Sequence, residues 1–201
     1  MNEKAIYERY MYPGSEPRVP INLLGARNGE ELSRFEAQIV AIRVKTIPPH
    51  AMELSYDGLK ALHRHLFQDI YEWAGMERTY TTSRNPNAAF AKPAYIASWI
   101  QKQFEHLKSS NYYCGLEKRQ FAENAASFFN EINAAHPFIE GNGRVQRLFL
   151  QMIAENAGYD LDLRAEDQRE WYAAAEAGFL ADNLNPLIAL LEKRLTKLMT
   201  E

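Results

Sequence analysis

Apolar side chains recur at every third or fourth position along most of this chain, the spacing that places them on one face of an α-helix. Such a stripe predicts a helix over residues 30–45 and consists of Leu32, Phe35, Ile39 and Ile42. A second helix is predicted to begin after Ser55, whose side chain can cap it, and to end at Gly75. Its stripe consists of Leu59, Leu62, Leu66, Ile70 and Trp73.

The second half of the chain predicts four more helices. Residues 117–135 have a broad apolar face and predict the central helix. This helix must stop near His136, because Pro137 disfavours helical angles in the residue before it. The helical pattern resumes over residues 144–156. Another helix is predicted to begin at Pro93, and its apolar residues are Ile96, Ile100, Phe104 and Leu107. The last begins at Asn185-Pro186, and its apolar residues are Leu187, Leu190, Leu191, Leu195 and Leu198.

Residues 79–91 interrupt the helical pattern, and we call them the flap. The run from Thr79 to Thr82 favours extended structure, and Arg84-Asn85-Pro86-Asn87 is typical of a turn. A small β-hairpin is predicted, with an ordinary long connection as the alternative. Strands that alternate with helices are absent, so the pattern predicts a single all-α domain over residues 1–201 with one small β-hairpin.

Composition narrows the functional classes. The 23 basic and 26 acidic side chains give a formal net charge of −3, which disfavours a general surface for nucleic acid or anionic membranes but leaves room for a local basic pocket. Cys114 is the sole cysteine and cannot form an intrachain disulfide. The longest aliphatic run, Leu187–Leu191, is far shorter than the roughly 20 residues of a membrane span, and the first residues do not resemble a signal peptide.

Residues 136–147, which read HPFIEGNGRVQR between two predicted helices, combine several chemical groups. Gly141 and Gly143 allow backbone angles that let successive N–H groups converge on an anion, and the loop leads into a helix N-terminus, where phosphate binds favourably. Arg144 and Arg147 lie on the first turn of that helix and can both bind phosphate oxygens.

The same loop carries a base and a carboxylate. His136 is the side chain best suited to accept a proton near neutral pH, and Glu140 is an oxygen ligand suited to Mg²⁺ that also touches phosphates. Each residue alone has a simpler explanation, such as a core histidine, a turn or a solvated helix face. Their combination within one loop favours a site that handles phosphates.

Residues 136–147 resemble the Fic family at every defined position of its motif, His-Pro-Phe, any residue, Asp or Glu, Gly-Asn-Gly-Arg, two residues, Arg. Residues 62–75, followed by Arg78, resemble the helix that precedes the flap in that family. Residues 12–14 and 22–25 resemble the starts of bacterial members. The resemblance covers most of residues 10–190 and implies a Fic-type bundle of about seven or eight helices.

The resemblance implies a protein adenylyltransferase, which transfers AMP from ATP to a Tyr, Thr or Ser hydroxyl of a target protein. It implies His136 as the catalytic base and Glu140 as the ligand of Mg²⁺. It further implies that the flap aligns the target by strand addition. The implied ATP-binding residues are Gly141, Asn142, Gly143, Arg144 (β-phosphate), Arg147 (γ-phosphate), Tyr172 (adenine) and Phe90 (the nucleotide's border). For Tyr172, a core position beside Trp171 is the alternative.

Many Fic relatives carry an inhibitory helix with the pattern Ser or Thr, three residues, Glu, then Gly or Asn. The nearest segment, Ser127–Glu131, is followed by Ile132 and lies inside the predicted central helix. The chain therefore resembles bacterial toxins and effectors that lack their own inhibitory helix. We expect a small antitoxin-like protein whose glutamate pairs with Arg147. The expected target is a bacterial topoisomerase-like enzyme in the bacterial cytoplasm, or a host small GTPase if the protein is delivered into a host cell.

Other functions remain open. The same loop could transfer another nucleotide or a phosphate group, but Gly143 stands where the kinase-like branch of the family has lysine, and that branch lacks the carboxylate of Glu140. A non-catalytic nucleotide-binding module is expected to lose His136, Glu140 or Arg147, and all three are present. A nucleic-acid-binding helical domain is disfavoured by the scattered basic residues and the negative net charge.

Overall fold

The computed structural model describes residues 3–15, 18–164 and 168–198. Within them, the prediction of an all-α fold is confirmed. Eight α-helices lie in these ranges: α1 (Glu3–Glu8), α2 (Gly29–Arg43), α3 (Tyr56–Phe67), α4 (Pro93–Ser109), α5 (Lys118–Ala135), α6 (Asn142–Asn156), α7 (Gln168–Ala181) and α8 (Asn185–Arg194). The strands described are β1 (Ser83–Asn85), β2 (Ala88–Ala89), β3 (Tyr159–Leu161) and β4 (Leu195–Lys197).

Helix α5 occupies the centre of the bundle, as its broad apolar face predicts. It packs against α4, α6, α7 and α8, while α3 packs against α2, α4 and α6. Phe121, Ala125, Phe129 and Ile132 of α5 are all buried. Because α5 leads into the loop 136–141 and α6 follows it, this loop begins and ends at helices held by the core.

Helix α3 is shorter than predicted. Ser55 caps its start, because its hydroxyl accepts a hydrogen bond from the N–H of Gly58 at 3.0 Å. The helix ends at Phe67, however, and Gly75 belongs to a later turn with a φ of +82°. A Cβ at Gly75 would lie 2.8 Å from the Cβ of Arg64, so packing against α3 requires glycine there.

The last predicted helix is also too long. Helix α8 ends at Arg194, and Leu195 begins strand β4, which pairs antiparallel with β3 so that Leu195 faces Leu161. Leu195 is buried, as its place in the leucine pattern requires, but the pairing with β3 gives its backbone a strand conformation. Ile42 of α2 departs from its predicted stripe as well, since it is exposed.

The flap is a hairpin, as predicted. Strands β1 and β2 pair antiparallel, and the side chain of Asn85 accepts a hydrogen bond from the N–H of Asn87 at 2.9 Å in the turn between them. Phe90 follows β2 and is buried. In the part of the chain that the structure describes, no helix has both the length and the apolar character that a membrane crossing requires.

Candidate active site

The loop 136–141 joins α5 to α6 where the sequence predicts it. His136 follows the last residue of α5 and adopts left-handed angles, φ 45° and ψ 62°, with its N–H donating to the carbonyl of Ile132 at 3.0 Å. Gly141 also has left-handed angles, and α6 begins at the next residue. The sharp change of direction at His136 places its side chain beside the N-terminus of α6.

A cavity of about 910 Å³ opens at this N-terminus, a size typical of small-molecule sites. Helices α2 and α7 form its other walls. The predicted catalytic, nucleotide-binding and metal-binding residues all line it except Phe90, namely His136, Glu140, Gly141, Asn142, Gly143, Arg144, Arg147 and Tyr172.

The first turn of α6 provides free N–H groups at the floor of this cavity. Gly141 precedes the helix and supplies no side-chain cap, so the first amides of α6 stay available to a ligand. A Cβ at Gly141 would lie 2.5 Å from the Cζ of Phe67, which explains the glycine. Gly143, by contrast, lies in the helix itself, so of the two glycines Gly141 has left-handed angles and Gly143 does not.

The side chain of Asn142 serves the loop itself. Its Oδ1 accepts a hydrogen bond from the N–H of Phe138 at 2.9 Å, and its Nδ2 donates to the carbonyl of Phe138 at 2.7 Å. The buried side-chain amide of Asn142 closes the loop, which leaves its backbone N–H for an anion. That Asn142 binds ATP stays a prediction, and its backbone is the part left to do so.

The two arginines near the start of α6, Arg144 and Arg147, differ in their surroundings. Nη1 of Arg144 lies 2.9 Å from Oε2 of Glu36, and its guanidinium covers the ring of Phe67 at 4.7 Å. Arg147 has no ion-pair partner among the described residues. Burial lowers the pKa of Arg147, and the charge of Arg144 lowers it further. Arg147 is thus the positive charge in this cavity with the most to gain from an anion.

Glu140 directs its carboxylate into the cavity and its carbonyl into the protein. The surrounding protein displaces water from the carboxyl group and raises its pKa, and the charge of Glu36 adds to this effect, whereas Arg144 and the N–H of Gly141 oppose it. A positive charge added near Glu140 therefore favours the deprotonated carboxylate. That is the form in which the side chain binds a metal ion.

His63 of α3 holds the backbone of Glu140, a role that the sequence did not reveal. Its Nδ1 accepts the N–H of Gly75 at 2.9 Å, so Nε2 carries the proton and donates to the carbonyl of Glu140 at 2.9 Å. The His63 ring is fully buried and stacks on Phe138 at 3.8 Å. Burial lowers the pKa of His63 to about 3.

The ring of His136 is stacked and neutral. It lies parallel to the ring of Phe90, with the centroids 3.9 Å apart. Burial lowers the pKa of His136 to about 3, and the charges of Arg78 and Arg84 lower it further. The backbone carbonyl of Asn133 opposes this fall in pKa by accepting a hydrogen bond from the ring. Nδ1 of His136 is buried, so Nε2 is the nitrogen left for a substrate.

A second, smaller cavity of about 250 Å³ lies between the flap and the loop. His136 and Glu140 line both cavities, whereas Phe90 lines only the smaller one. The structure therefore places Phe90 on the flap side of the His136 ring, with that ring between Phe90 and the larger cavity. Its predicted place at the border of the nucleotide stays a prediction. The ring of His136 therefore faces both cavities.

Tyr172 lies at the mouth of the larger cavity. It is 56% exposed, which excludes the alternative of a core aromatic, while its neighbour Trp171 is buried. The guanidinium of Arg84, on strand β1, covers the ring of Tyr172 at 3.9 Å, and Nε of Arg84 lies 3.5 Å from Oε1 of Glu176. Helix α7 and the flap are linked by these contacts.

Comparisons with known proteins agree with this geometry. The model of the Fic/DOC family matches residues 53–154. Probable protein adenylyltransferase y4lH of Sinorhizobium fredii is 36% identical over 190 residues, which cover 94% of this chain and 96% of that protein. Probable protein adenylyltransferase Fic of Escherichia coli is 32% identical, covering 86% and 85% of the two chains. The crystal structure of BepC, a VirB-translocated effector of Bartonella tribocorum with bound AMPPNP, superposes with a TM-score of 0.85 at 25% identity, covering 96% of this chain and 98% of that one.

Proposed function

The chain belongs to the Fic/DOC family, and on that premise we propose that it is a protein adenylyltransferase, which transfers AMP from ATP to a hydroxyl group of a target protein. One observation carries the proposal. The ring of His136 lines both the larger cavity, which fits a nucleotide, and the smaller cavity beneath the flap. A base in this position can contact a target hydroxyl and the α-phosphate of ATP together.

The triphosphate of ATP binds at the N-terminus of α6. The N–H groups of Asn142 and Gly143 and the helix dipole attract its oxygens. Arg144 contacts the β-phosphate and Arg147 the γ-phosphate, where its unpaired charge has most to gain. Tyr172, exposed at the mouth of the cavity, offers its ring to the adenine base.

Mg²⁺ accompanies ATP in this proposal. The chemistry of the site fits the ion, because Mg²⁺ is commonly held by one or two carboxylates together with substrate phosphates and water, and the Glu140 carboxylate opens into the phosphate cavity. When bound, the ion supplies positive charge to the phosphate oxygens. Glu140 would hold it, and the hydrogen bond from His63 to the carbonyl of Glu140 keeps the residue in place.

Proton transfer falls to His136. The neutral ring accepts the proton of the target hydroxyl at Nε2, the hydroxyl oxygen bonds to the α-phosphorus, and the bond to the β-phosphate breaks to release pyrophosphate. Phosphoryl-type transfer depends mainly on position and on charge neutralisation. The stacking of His136 on Phe90 holds the base in position, and the arginines and the N-terminus of α6 neutralise the charge of the phosphates.

The target enters from the flap. Its backbone adds to the hairpin as a further strand, and its hydroxyl-bearing side chain occupies the cavity of about 250 Å³ beside His136. The target is a bacterial enzyme if the protein acts in the bacterial cytoplasm, or a host small GTPase if it is delivered into a host cell. Labelling in lysates of the two kinds distinguishes these targets.

Inhibition comes from a small antitoxin-like protein whose glutamate pairs with Arg147. Two features support this part of the proposal: Arg147 has no ion-pair partner among the described residues, and α2 presents exposed small side chains, Ser33, Ala37 and Ala41, to the same cavity. A helix of the inhibitor can lie against these small residues. The test is co-expression with a small neighbouring reading frame, and activity that persists beside every such partner contradicts this part.

The proposed function is tested with ATP labelled at the α- or the γ-phosphate. The protein is incubated with either form, Mg²⁺ and lysate, and labelled proteins are identified by mass spectrometry. We expect α-label on a target, no γ-label, and loss of labelling by about 100- to 10,000-fold in His136→Ala. Transfer of γ-label favours the phosphate-transfer alternative. ATP binding without any labelling favours a non-catalytic module.

A further inference from the structure

Arg78 is a buried cation that carboxylates do not neutralise. It lies between α3 and the flap and is 1% exposed, and no acidic side chain pairs with it in the described ranges. Its guanidinium donates instead to backbone carbonyls. Three of these oxygens belong to His136 at 2.6 Å, Tyr80 at 2.7 Å and Ala135 at 3.0 Å, and the fourth belongs to Ala91.

These four carbonyls belong to two structures that must work together. Tyr80 and Ala91 are at the start and the end of the flap, while Ala135 and His136 are at the junction of α5 with the catalytic loop. The N–H of Arg78 also donates to the carbonyl of Pro137 at 2.8 Å. Both ends of the flap are therefore bonded through one side chain to the residue that carries the catalytic ring.

Burial of a guanidinium without a carboxylate is unfavourable, so the four hydrogen bonds are needed to offset the lost hydration. Arginine is the side chain that can make them, because its planar group holds five N–H donors in a fixed arrangement. Lysine carries the same charge on a single nitrogen and cannot reach carbonyls on four sides. The site thus depends on the shape of the side chain as well as on its charge.

We propose that Arg78 is a positioning residue for AMP transfer, which fixes the flap at the distance from His136 that brings a docked target hydroxyl to Nε2. This inference rests on the proposed function. Phe90 supports the same geometry. It precedes Ala91, which Arg78 bonds at the end of the flap, and its ring stacks on the ring of His136. Arg78 lines neither cavity, but it bonds both ends of the flap at which the target is proposed to dock, so its role concerns the target more than ATP.

The first test compares Arg78→Lys and Arg78→Met with Arg119→Met. Arg119 is an exposed control on the same α5 surface as Glu123, about 25 Å along the helix from His136. We expect Arg78→Lys and Arg78→Met to lower kcat/KM for the target by roughly 100-fold, the effect of a misplacement of about 1 Å, while AMPPNP affinity changes less than about twofold. The control should leave both quantities unchanged. Full activity in Arg78→Lys, or a parallel loss of AMPPNP affinity, overturns the proposal.

A second test needs neither a variant nor activity. In the wild-type protein, amide hydrogen exchange at Phe90 and Ala91, whose N–H groups donate to Thr82 and Ala134, should be as slow as at the end of α5. The tip of the flap at Asn87 should exchange much faster. Equal, fast exchange at the tip and the ends overturns the positioning role, whereas a wild-type protein that transfers no AMP but shows slow exchange contradicts the proposed function alone.

Discussion

The carboxylate of Glu36 on α2 lies 2.9 Å from the guanidinium of Arg144 on α6, and its other oxygen accepts a hydrogen bond from the hydroxyl of Tyr71. An acidic side chain from outside the loop therefore neutralises one of the two arginines at the phosphate end of the cavity. Its negative charge also faces the phosphates that Arg144 is proposed to bind.

Glu36→Gln removes this charge and keeps the size of the side chain. Its amide oxygen can still accept from Arg144, while its NH2 group replaces the second acceptor and can donate to the hydroxyl of Tyr71. Repulsion of the triphosphate falls, so we expect KM for ATP to decrease by roughly three- to tenfold, the equivalent of about 1 kcal/mol, with kcat little changed. Initial rates at varied ATP measure the effect. Glu192→Gln, which removes one of the two surface carboxylates that pair with Arg119, is the control. A higher KM in Glu36→Gln would mean that the ion pair is needed to hold Arg144.

The two glycines of the loop should respond to alanine in opposite ways. Gly141→Ala introduces a side chain at a φ of +80° and 2.5 Å from Phe67, so we expect a loss of about 2–5 kcal/mol of stability in urea unfolding. Gly143→Ala lies in a helix with ordinary contacts and should gain up to about 1 kcal/mol. Because its methyl group faces the cavity, Gly143→Ala should nevertheless bind AMPPNP more weakly. Equal stabilities of the two variants would contradict the left-handed turn.

The buried His63 and the half-buried His136 should make the protein sensitive to acid. Burial lowers the pKa of His63 and that of His136 from 6.5 to about 3. Below pH 6.5 the histidines of the unfolded chain become protonated, whereas those of the folded chain stay neutral. The free energy of unfolding therefore decreases as the pH is lowered, by up to about 1.4 kcal/mol per pH unit for each histidine. Above pH 7 neither group contributes a pH dependence.

Urea unfolding between pH 7 and pH 5 measures this decrease in stability. NMR of the histidines in the folded protein measures their protonation independently. Both rings should stay neutral at pH 5 while a histidine peptide in the same buffer becomes protonated. The raised pKa of Glu140 acts in the opposite direction, so the NMR record isolates the histidines. Protonation of His63 near pH 6 would show that the ring is less buried than the structure indicates.

The loop 136–147 could be predicted from the sequence because its chemistry is contiguous and its geometry follows local rules. Pro137 ends α5 and the glycine at 141 provides the left-handed turn. Because α6 begins at residue 142, two residues earlier than predicted, Arg144 falls on its first turn and Arg147 on its second. Each of these steps needs information from only a few neighbouring residues. The helices on either side of the loop could be predicted for the same reason, because helical spacing of apolar residues is also a local pattern.

The supporting residues could not be predicted this way. Glu36 meets Arg144 across 108 residues, and His63 meets Glu140 across 77 residues, so only the packed bundle brings them together. Leu195 illustrates the same limit, because leucine spacing is satisfied equally by a helix and by the strand that β3 imposes. Phe90 differs again: its aromatic character is visible in the sequence, but which cavity it faces depends on the path of the flap.

The two arginines of the loop should differ in the phosphate that they recognise. If Arg147 binds the γ-phosphate, Arg147→Met should weaken AMPPNP binding by roughly 10- to 100-fold, as expected for a lost charged hydrogen bond, and leave ADP affinity nearly unchanged. Arg144→Met, at the β-phosphate, should weaken both ligands. Isothermal titration with AMPPNP and ADP, each with Mg²⁺, measures the two ratios. The phosphate positions are reversed if Arg144→Met is the variant that spares ADP, because only the outermost phosphate distinguishes the two nucleotides.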